Sequence, residues 1–581
     1  MALNQKAILY FRKTFAELIK SLFRILCRGK NGLIFCQHLL HEAGYQGQIG
    51  MRPYFFRTIE ELQSGFHLKN VFPSKSAKIS LVMQDLKELV YILNQYQMKP
   101  MHTNGQRLEP DSRLGKFYEG LEKDRFETDE EAEALLFPDG HGASNYRKLK
   151  SELRDKLIYT VALFNAKGTD FTDYQKAYYD CHKLWLVVKI LTGQNANTAA
   201  MNLATRLVKQ TERFEFTLLT MDIAAYLRFQ YGLREGNDKK YHDSHNLFEV
   251  SKAVYEAESK AEEYYTRLMA RTIGNRGVNT ELVGLASNFY DEIAPLLEHH
   301  TSFRLHLYGN LIGLMQYTLV NDYASALPYC DEVISFFQKK PYEARVPLQI
   351  FYYQKLICHI QLRQFGEGAG VAQYCLGIMY EGTFNWFKYL ELYLQLSFHT
   401  EQFDKGAEIL CKAIDHPRFR FLPEHAKETW RIYEAYTHYL VSAGKISGME
   451  KRRFKLAKFV NETPIFSKDK GGMNIAILTI RFMHLLLEKK LAKLLDETEA
   501  IKQYCYRHLN NKNTVRSYHF FRMLMQIPLG RFDAEKVSER VKPSLLVLTE
   551  TPLQVANQIH EIELIPYEIL WEIAMEKLRN Q

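Results

Sequence analysis

The chain has 581 residues, too many for one ordinary hydrophobic core, which indicates several domains or an elongated array of repeats. Hydrophobic residues make up 46% and aromatic residues 13%, and this composition excludes an intrinsically disordered chain. The formal charge is +9, of which residues 1–30 carry +6 and the remaining residues +3, so a nucleic-acid-binding surface along the whole chain is not expected.

The first predicted helix is basic and amphipathic. Its apolar residues are Ile8, Phe11, Phe15, Leu18, Leu22, Phe23, Ile25 and Leu26. This pattern is typical of a segment that lies on a membrane surface, although packing against the next apolar helix, GLIFCQHLLHEAG, is the favoured interpretation. Arg12 and Lys13 interrupt the apolar stretch before a signal-peptide core is complete.

The cysteines indicate a reducing compartment. There are 8 of them, dispersed and without a C-x-x-C pair, which is typical of buried thiols. No run of about 18 apolar residues follows the N-terminal segment. We therefore expect a cytoplasmic protein.

Helical periodicity dominates the chain, and there is no convincing series of alternating strands. The segment TDEE, residues 128–131, has the spacing of a capping box, and PDGHGAS, residues 138–144, ends that element. The sequence predicts an all-α protein whose helices before about residue 145 are less regular than those that follow.

An aromatic residue followed three positions later by a small one recurs along the chain. The pairs are Tyr174 and Ala177, Tyr323 and Ala326, Phe365 and Gly368, and Phe403 and Gly406. The last three pairs are separated by 42 and 38 residues. Each step is followed by an amphipathic run, so it marks a repeated unit.

These units resemble the tetratricopeptide repeat, whose second helix begins with an aromatic residue followed three positions later by Ala. The spacings exceed the 34 residues of that family, and Pro417 alone resembles its terminal proline, so the units are degenerate. The resemblance covers about residues 300–445, with weaker copies at 146–275. It implies an α-solenoid of antiparallel helix pairs wound into a superhelix.

We divide the chain into four predicted parts. They are an irregular helical N-terminal region at 1–144, weak repeats at 145–290, clearer repeats at 291–460, and a C-terminal helical region at 461–581 that continues or caps the array. The stretches FSKDKGGMNI and EIELIPYEILWE are similar to those of a family of uncharacterised bacterial helical proteins. No activity follows from that similarity.

Candidate catalytic and metal-ligating patterns are weak. The histidine clusters are HLLHE (His38, His41, Glu42), YHDSH (His242, Asp243, His245) and EHH (Glu298, His299, His300), and none has the H-E-x-x-H order of zinc hydrolases. G-x-S-x-G and Walker motifs are absent from the sequence. We expect no catalytic, cofactor or metal site and no small-molecule substrate. A site assembled from distant residues stays open.

One basic stretch lacks acidic residues. In KRRFKLAKF, residues 451–459, the cations are Arg452, Arg453, Lys455 and Lys458 together with Lys451. Such a stretch could bind an RNA backbone or an acidic partner, although a solvated helix face is the favoured interpretation.

The repeat resemblance implies a concave surface lined by the first helix of each pair. The residues at its groove-facing positions are Tyr308, Leu311, Met315, Tyr353, Ile357, Lys388, Glu391, Gln395 and His399. A mixture of large apolar and polar side chains suits the binding of a peptide or helix. Alternatively, a neighbouring segment of the same chain buries these residues.

The predicted function is that of a non-enzymatic protein–protein interaction scaffold or adaptor, whose partner is a protein or peptide. The alternative is a nucleic-acid-associated regulatory protein that uses its basic helical patches.

Overall fold

The structure is a computed structural model that describes residues 75–98, 100, 108–138, 142–166, 171–274, 280–447, 454–462, 473–509, 515–551 and 563–579. Within these ranges the chain forms 22 α-helices and no strand. The prediction of an all-α protein is therefore confirmed for the described residues. The basic N-terminal helix and the His38–His41–Glu42 cluster lie outside them.

The N-terminal half of the helical array contains the longest helix. In chain order the helices are α1 (Lys75–Gln95), α2 (Arg113–Glu122), α3 (Asp129–Leu136), α4 (Ala143–Ala162), α5 (Asp173–Gly193), α6 (Asn197–Arg213), α7 (Thr217–Gln230), α8 (Asp238–Gly274), α9 (Thr280–His299), α10 (Phe303–Thr318) and α11 (Tyr323–Gln338). A π-helical turn, Tyr231–Glu235, joins α7 to the 37-residue α8.

The C-terminal half consists of shorter helices. They are α12 (Arg345–Gln361), α13 (Phe365–Ile378), α14 (Phe384–His399), α15 (Phe403–Ile414), α16 (Glu424–Ser442), α17 (Leu456–Glu462), α18 (Met473–Leu487), α19 (Leu491–His508), α20 (Val515–Leu529), α21 (Ala534–Glu550) and α22 (Tyr567–Arg579). A short 3₁₀ helix, Pro417–Phe421, precedes α16.

The chain divides into two packed units. One comprises residues 1–83 with 127–130, and the other comprises residues 84–126 with 131–581. Nearly all of the described residues belong to the second unit. The four-part division drawn from the sequence stays a prediction.

Helices that follow one another in the chain pack against one another over most of the second unit. The pairs α10–α11, α12–α13 and α14–α15 place their second helices at Tyr323, Phe365 and Phe403. These are the aromatic residues that the repeated step predicts at the start of a second helix. The chain is thus a helical-repeat-like protein.

The two helices of each pair are joined by the same tight turn. Its first residue adopts the left-handed conformation, with φ of 60° at Asn321, 56° at Arg363 and 57° at Glu401. At each turn, the backbone N–H of the residue after the left-handed one donates to the carbonyl oxygen five positions before it, at N···O distances of 3.0, 2.8 and 2.8 Å. This Schellman arrangement satisfies the carbonyls at the end of the first helix and reverses the chain within two residues.

The small residue of the step lies where two helices approach closely. Ala326 is fully buried in α11, and Gly406 of α15 faces the ring of Phe398 in α14 so closely that a Cβ atom would overlap it. Gly368 is less constrained, because a Cβ atom there would lie 3.4 Å from Cβ of His359, at ordinary contact distance.

One continuous hydrophobic core contains residues from Cys181 to Leu578. A smaller cluster lies between α8, α9 and α10 and contains Leu268, Ile293 and Ile312. The C-terminal helix α22 belongs to the continuous core and packs against α18 and α21.

The described cysteines are free thiols. Cys181, Cys330, Cys358, Cys375 and Cys505 are buried, as the sequence predicts, whereas Cys411 is only partly buried. Burial, assisted by Asp180, raises the pKa of Cys181 to about 11, so this thiol stays protonated. Among the described helices, none combines the length and the apolar character that a membrane crossing requires.

Candidate functional site

Two of the three predicted groove residues of the first pair, Tyr308 and Met315, pack against the hydrophobic cluster between α8, α9 and α10. The ring of Tyr308 lies 5.8 Å from that of Tyr265 in α8. Met315 packs against the same cluster as Tyr308. Leu311 is buried in the continuous core. These three side chains stabilise the packing of α10 against its neighbours.

The next predicted residues form a polar cluster between α12, α14 and α16. Ile357 is buried, and Tyr353 is partly buried beside it on α12. Lys388 forms an ion pair with Glu391 one turn later on α14. Burial raises the pKa of Glu391, which Lys388 lowers in part. The second carboxylate oxygen of Glu391 has no hydrogen-bond partner.

The last two predicted residues bind another part of the same chain. His399 Nε2 lies 2.8 Å from the carbonyl oxygen of Glu563, and Gln395 Nε2 lies 3.4 Å from the same oxygen. Burial lowers the pKa of His399 to about 4, so the neutral imidazole donates from Nε2. A partner therefore has no free access to these two side chains in this structure.

Glu563 is held in place by a buried arginine. Arg516 Nε and Nη2 donate to the Glu563 carboxylate at 3.0 and 2.6 Å, and Nη2 also donates to Glu568 at 2.7 Å. Nη1 donates to the carbonyl oxygens of Leu548 and Thr551 at 2.6 and 3.0 Å. All five guanidinium N–H groups thus have acceptors.

The charge of Arg516 is stabilised by these partners. Burial opposes the charged form, but the hydrogen bonds and charges of Glu563 and Glu568 outweigh it and raise the pKa of Arg516. Sequence analysis did not identify this ion pair, because its two residues are 47 positions apart. The available signal was an arginine within the apolar stretch VRSYHFF.

The structure does not bring the nine predicted residues together into one open groove. Those of α10 lie against α8, and Gln395 and His399 lie against Glu563. Leu311, Ile357, Glu391, Gln395 and His399 are buried, whereas Tyr308, Met315, Tyr353 and Lys388 are only partly buried. Their contact with a partner stays a prediction.

The predicted basic patch is described in part. Lys455 and Lys458 are exposed at the start of α17, whereas Arg452 and Arg453 lie outside the described residues. The nucleic-acid-binding alternative therefore stays a prediction.

The histidine clusters do not form a metal site among the described residues. His242 lies 3.5 Å from Asp238, and His245 Nδ1 lies 3.0 Å from Arg228. The rings of His299 and His300 contact each other edge to face, with centroids 4.6 Å apart. These contacts account for the described clusters as surface and packing interactions.

A surface that the sequence analysis did not identify lies on α4 and α5. Its large, solvent-exposed apolar side chains are Ile158, Tyr159, Leu163, Tyr179, Leu186, Val187 and Ile190. We call this set the α4–α5 apolar surface. Leu186 and Ile190 expose 60% and 55% of their area.

Helix α5 carries apolar residues on two opposite faces. Cys181, Trp185 and Val188 are buried on the face that packs against α6. The spacing of Tyr179, Leu186 and Ile190 places those three together on the other face. Helices α4 and α5 do not pack along their lengths, in contrast to α5 with α6 and α6 with α7. The stacking of successive helices is interrupted at this point.

Aromatic rings join the two helices at one end of the surface. The ring of Phe164, just after α4, lies 5.3 Å from that of Tyr179, and Phe171 lies 6.2 Å from Tyr179. The ammonium group of Lys183 lies 5.9 Å from the centroid of Phe164. Lys183 follows Tyr179 by one helical turn, so the surface contains one cation beside its apolar row.

Comparison with known proteins adds no relative: neither the protein-family models nor the curated proteins and solved structures contain a match to this chain. The arguments for function therefore rest on the residues themselves.

Proposed function

We propose that the protein is a non-enzymatic scaffold that binds another protein through the α4–α5 apolar surface. The observation that carries this proposal is the second apolar face of α5, against which none of the described helices packs along its length. Exposed apolar side chains gathered on one face of a helix are typical of a protein–protein contact. The free, buried thiols suit a scaffold located in the cytoplasm.

We also infer that the helix pairs wind as a tetratricopeptide-like superhelix. The support is the repeated Schellman turn and the order of packing, in which each described helix from α5 to α21 contacts the next one in the chain. In such an array the inner face is the usual ligand surface. Here residues 563–579 occupy part of the corresponding positions, which favours an outer surface for partner binding.

Burial of this surface would contribute part of the free energy of a complex. Full burial of a Leu or Ile side chain contributes about 1.5–3 kcal/mol, so burying the exposed half of Leu186 or Ile190 contributes about 1 kcal/mol each. Ile158, Leu163 and Val187 add similar amounts. Association costs about 4–15 kcal/mol in lost freedom, so contacts beyond these five side chains have to contribute to a stable complex.

The proposal is tested with a photo-crosslinking amino acid placed at position 186 in cells that express the protein natively. We expect one distinct crosslinked partner, identified by mass spectrometry, because the side chain lies at the contact. The double variant Leu186→Ser, Ile190→Ser should lose that partner on co-purification.

Leu495 provides the matched control, because it is a leucine on another helix, α19, and is 56% exposed. Crosslinking at position 495 and the variant Leu495→Ser should leave the partner unaffected. Equal adducts at both positions, or none at position 186, would contradict the proposal. An adduct of two 68.1 kDa chains would instead identify a second copy as the occupant.

A further inference from the structure

We infer that the partner contributes an amphipathic helix that lies along α5 and presents an acidic residue to Lys183. This inference rests on the proposed function and specifies the chemistry of the occupant. It is carried by the shape of the exposed face, by the interruption in helix packing, and by the charge at its centre.

The shape of the face favours a helix as the occupant. Tyr179, Leu186 and Ile190 form a straight row about 16 Å long, since each residue of a helix advances 1.5 Å. Rows of this kind fit into the grooves between side chains of a second helix. Ile158 and Leu163 add apolar area from α4.

The packing of the neighbouring helices also favours a helix as the occupant. Within the second unit, α5 packs against α6, α6 against α7, and α7 against α8, all along their lengths. Among the helices that the structure describes, α5 has such a neighbour on one side and lacks one on the α4 side. A helix supplied by a partner would continue the stack with the same side-chain packing used elsewhere in the molecule.

Lys183 determines the charge of that helix. It is partly exposed between Tyr179 and Ile190, it forms no ion pair with a described carboxylate, and its ammonium group lies 5.9 Å from the centroid of the Phe164 ring. A partner that covers the apolar row reduces the hydration of this ammonium group. An acidic residue opposite Lys183 compensates for that loss, whereas a basic residue there is repelled.

The test uses a displayed library of 18-residue amphipathic helices with a constant apolar face and randomised positions beside it, selected against the full-length protein. We expect enrichment of Asp or Glu over Lys or Arg by about twofold to fivefold at one flanking position, the range for exposed ion pairs. Selection against Lys183→Glu should reverse the preference and enrich basic residues at the same position.

The controls separate this inference from the proposed function. Leu495→Ser should select the same helices as the unchanged protein, and Leu186→Ser should select few. Helices that bind without a charge preference, or a preference unchanged by Lys183→Glu, would overturn the acidic partner but leave the scaffold intact.

Two other outcomes would overturn the docked helix itself. One is the failure of the unchanged protein to enrich any helix. The other is co-sedimentation of the protein with phosphatidylcholine–phosphatidylglycerol vesicles that is lost in Leu186→Ser, because it would assign the surface to lipid.

Discussion

At the scale of single residues, the buried pair of Arg516 and Glu563 is the contact most sensitive to change. Both side chains are completely inaccessible to solvent. The guanidinium group also binds the two carbonyls that end α21, so one side chain joins α20, α21 and the start of α22. Removing it leaves a buried carboxylate without its main counter-charge.

We expect Arg516→Met to lower the free energy of unfolding by about 3–5 kcal/mol, measured by urea denaturation, because Glu563 loses its charge partner in the core. Arg522→Met is the control, since Arg522 is exposed six residues later on the same helix. That control should change the free energy by less than about 0.5 kcal/mol. Equal effects of the two substitutions would refute the role assigned to Arg516.

His399 makes stability depend on pH. Its pKa is lowered from 6.5 to about 4 chiefly by burial, so the unfolded chain binds a proton more readily than the native one. The native state therefore loses stability as the pH falls from about 6.5 towards 4. His306 acts in the same direction, because burial also lowers its pKa to about 4.

We expect His399→Gln to reduce the loss of unfolding free energy between pH 7.5 and pH 5.0 by about 2 kcal/mol relative to the unchanged protein. Glutamine retains a donor for the Glu563 carbonyl but cannot be protonated in this range. His425→Gln serves as the control, since His425 is exposed. A pH profile unaltered by His399→Gln would show that this histidine is not the sensitive group.

At the scale of the helices, the space around the small residue of the aromatic-x-x-small step differs between copies. Gly406 contacts the buried ring of Phe398, whereas Gly368 has ordinary contact distances to Leu356 and His359. The pattern predicts close helix approach in both pairs. Only the packed structure shows where a methyl group is excluded, because that depends on the neighbouring helix.

We expect Gly406→Ala to destabilise the protein by about 1–3 kcal/mol, since the added methyl group overpacks the contact with Phe398. Gly368→Ala should be neutral or stabilising by up to about 1 kcal/mol, because alanine favours a helix and has room. Thermal unfolding of the two variants checks this. A larger loss in Gly368→Ala than in Gly406→Ala would contradict the packing described here.

At the scale of the whole molecule, α22 joins parts of the chain that are distant in sequence. The segment that leads into it meets α14 through Glu563, and α22 itself packs against α18 and α21. Its buried side chains include Leu570, Trp571 and Ile573. In an array where most contacts are between sequential neighbours, such a helix stabilises the nearby elements more than the remote ones.

We expect Trp571→Ala to destabilise its surroundings by about 3–5 kcal/mol through loss of core packing. Hydrogen exchange should accelerate in α18 and remain unchanged in α6, which lies far away in the order of packing. Tyr506→Ala, at a position 80% exposed, is the control. Equal acceleration in α6 and α18 would indicate one cooperative unit instead.

The sequence alone determined the all-α class and the starts of three second helices at Tyr323, Phe365 and Phe403. These features depend on residues three or four positions apart, which meet on the same helix face whatever the remainder of the chain does. It also predicted buried cysteines, which is correct for five of the six described ones and wrong for Cys411, which is only partly buried.

Which faces stay open was decided by the tertiary structure alone. Gln395 and His399 meet Glu563 across 168 and 164 residues of chain, and no local pattern records that contact. The sequence did not indicate the exposed row on α5 for the same reason. A helix with two apolar faces has the sequence pattern of a buried helix, and only its neighbours in the fold show which face is exposed. Whether a side chain is buried depends on the segments that lie next to it, and only folding brings segments distant in sequence together.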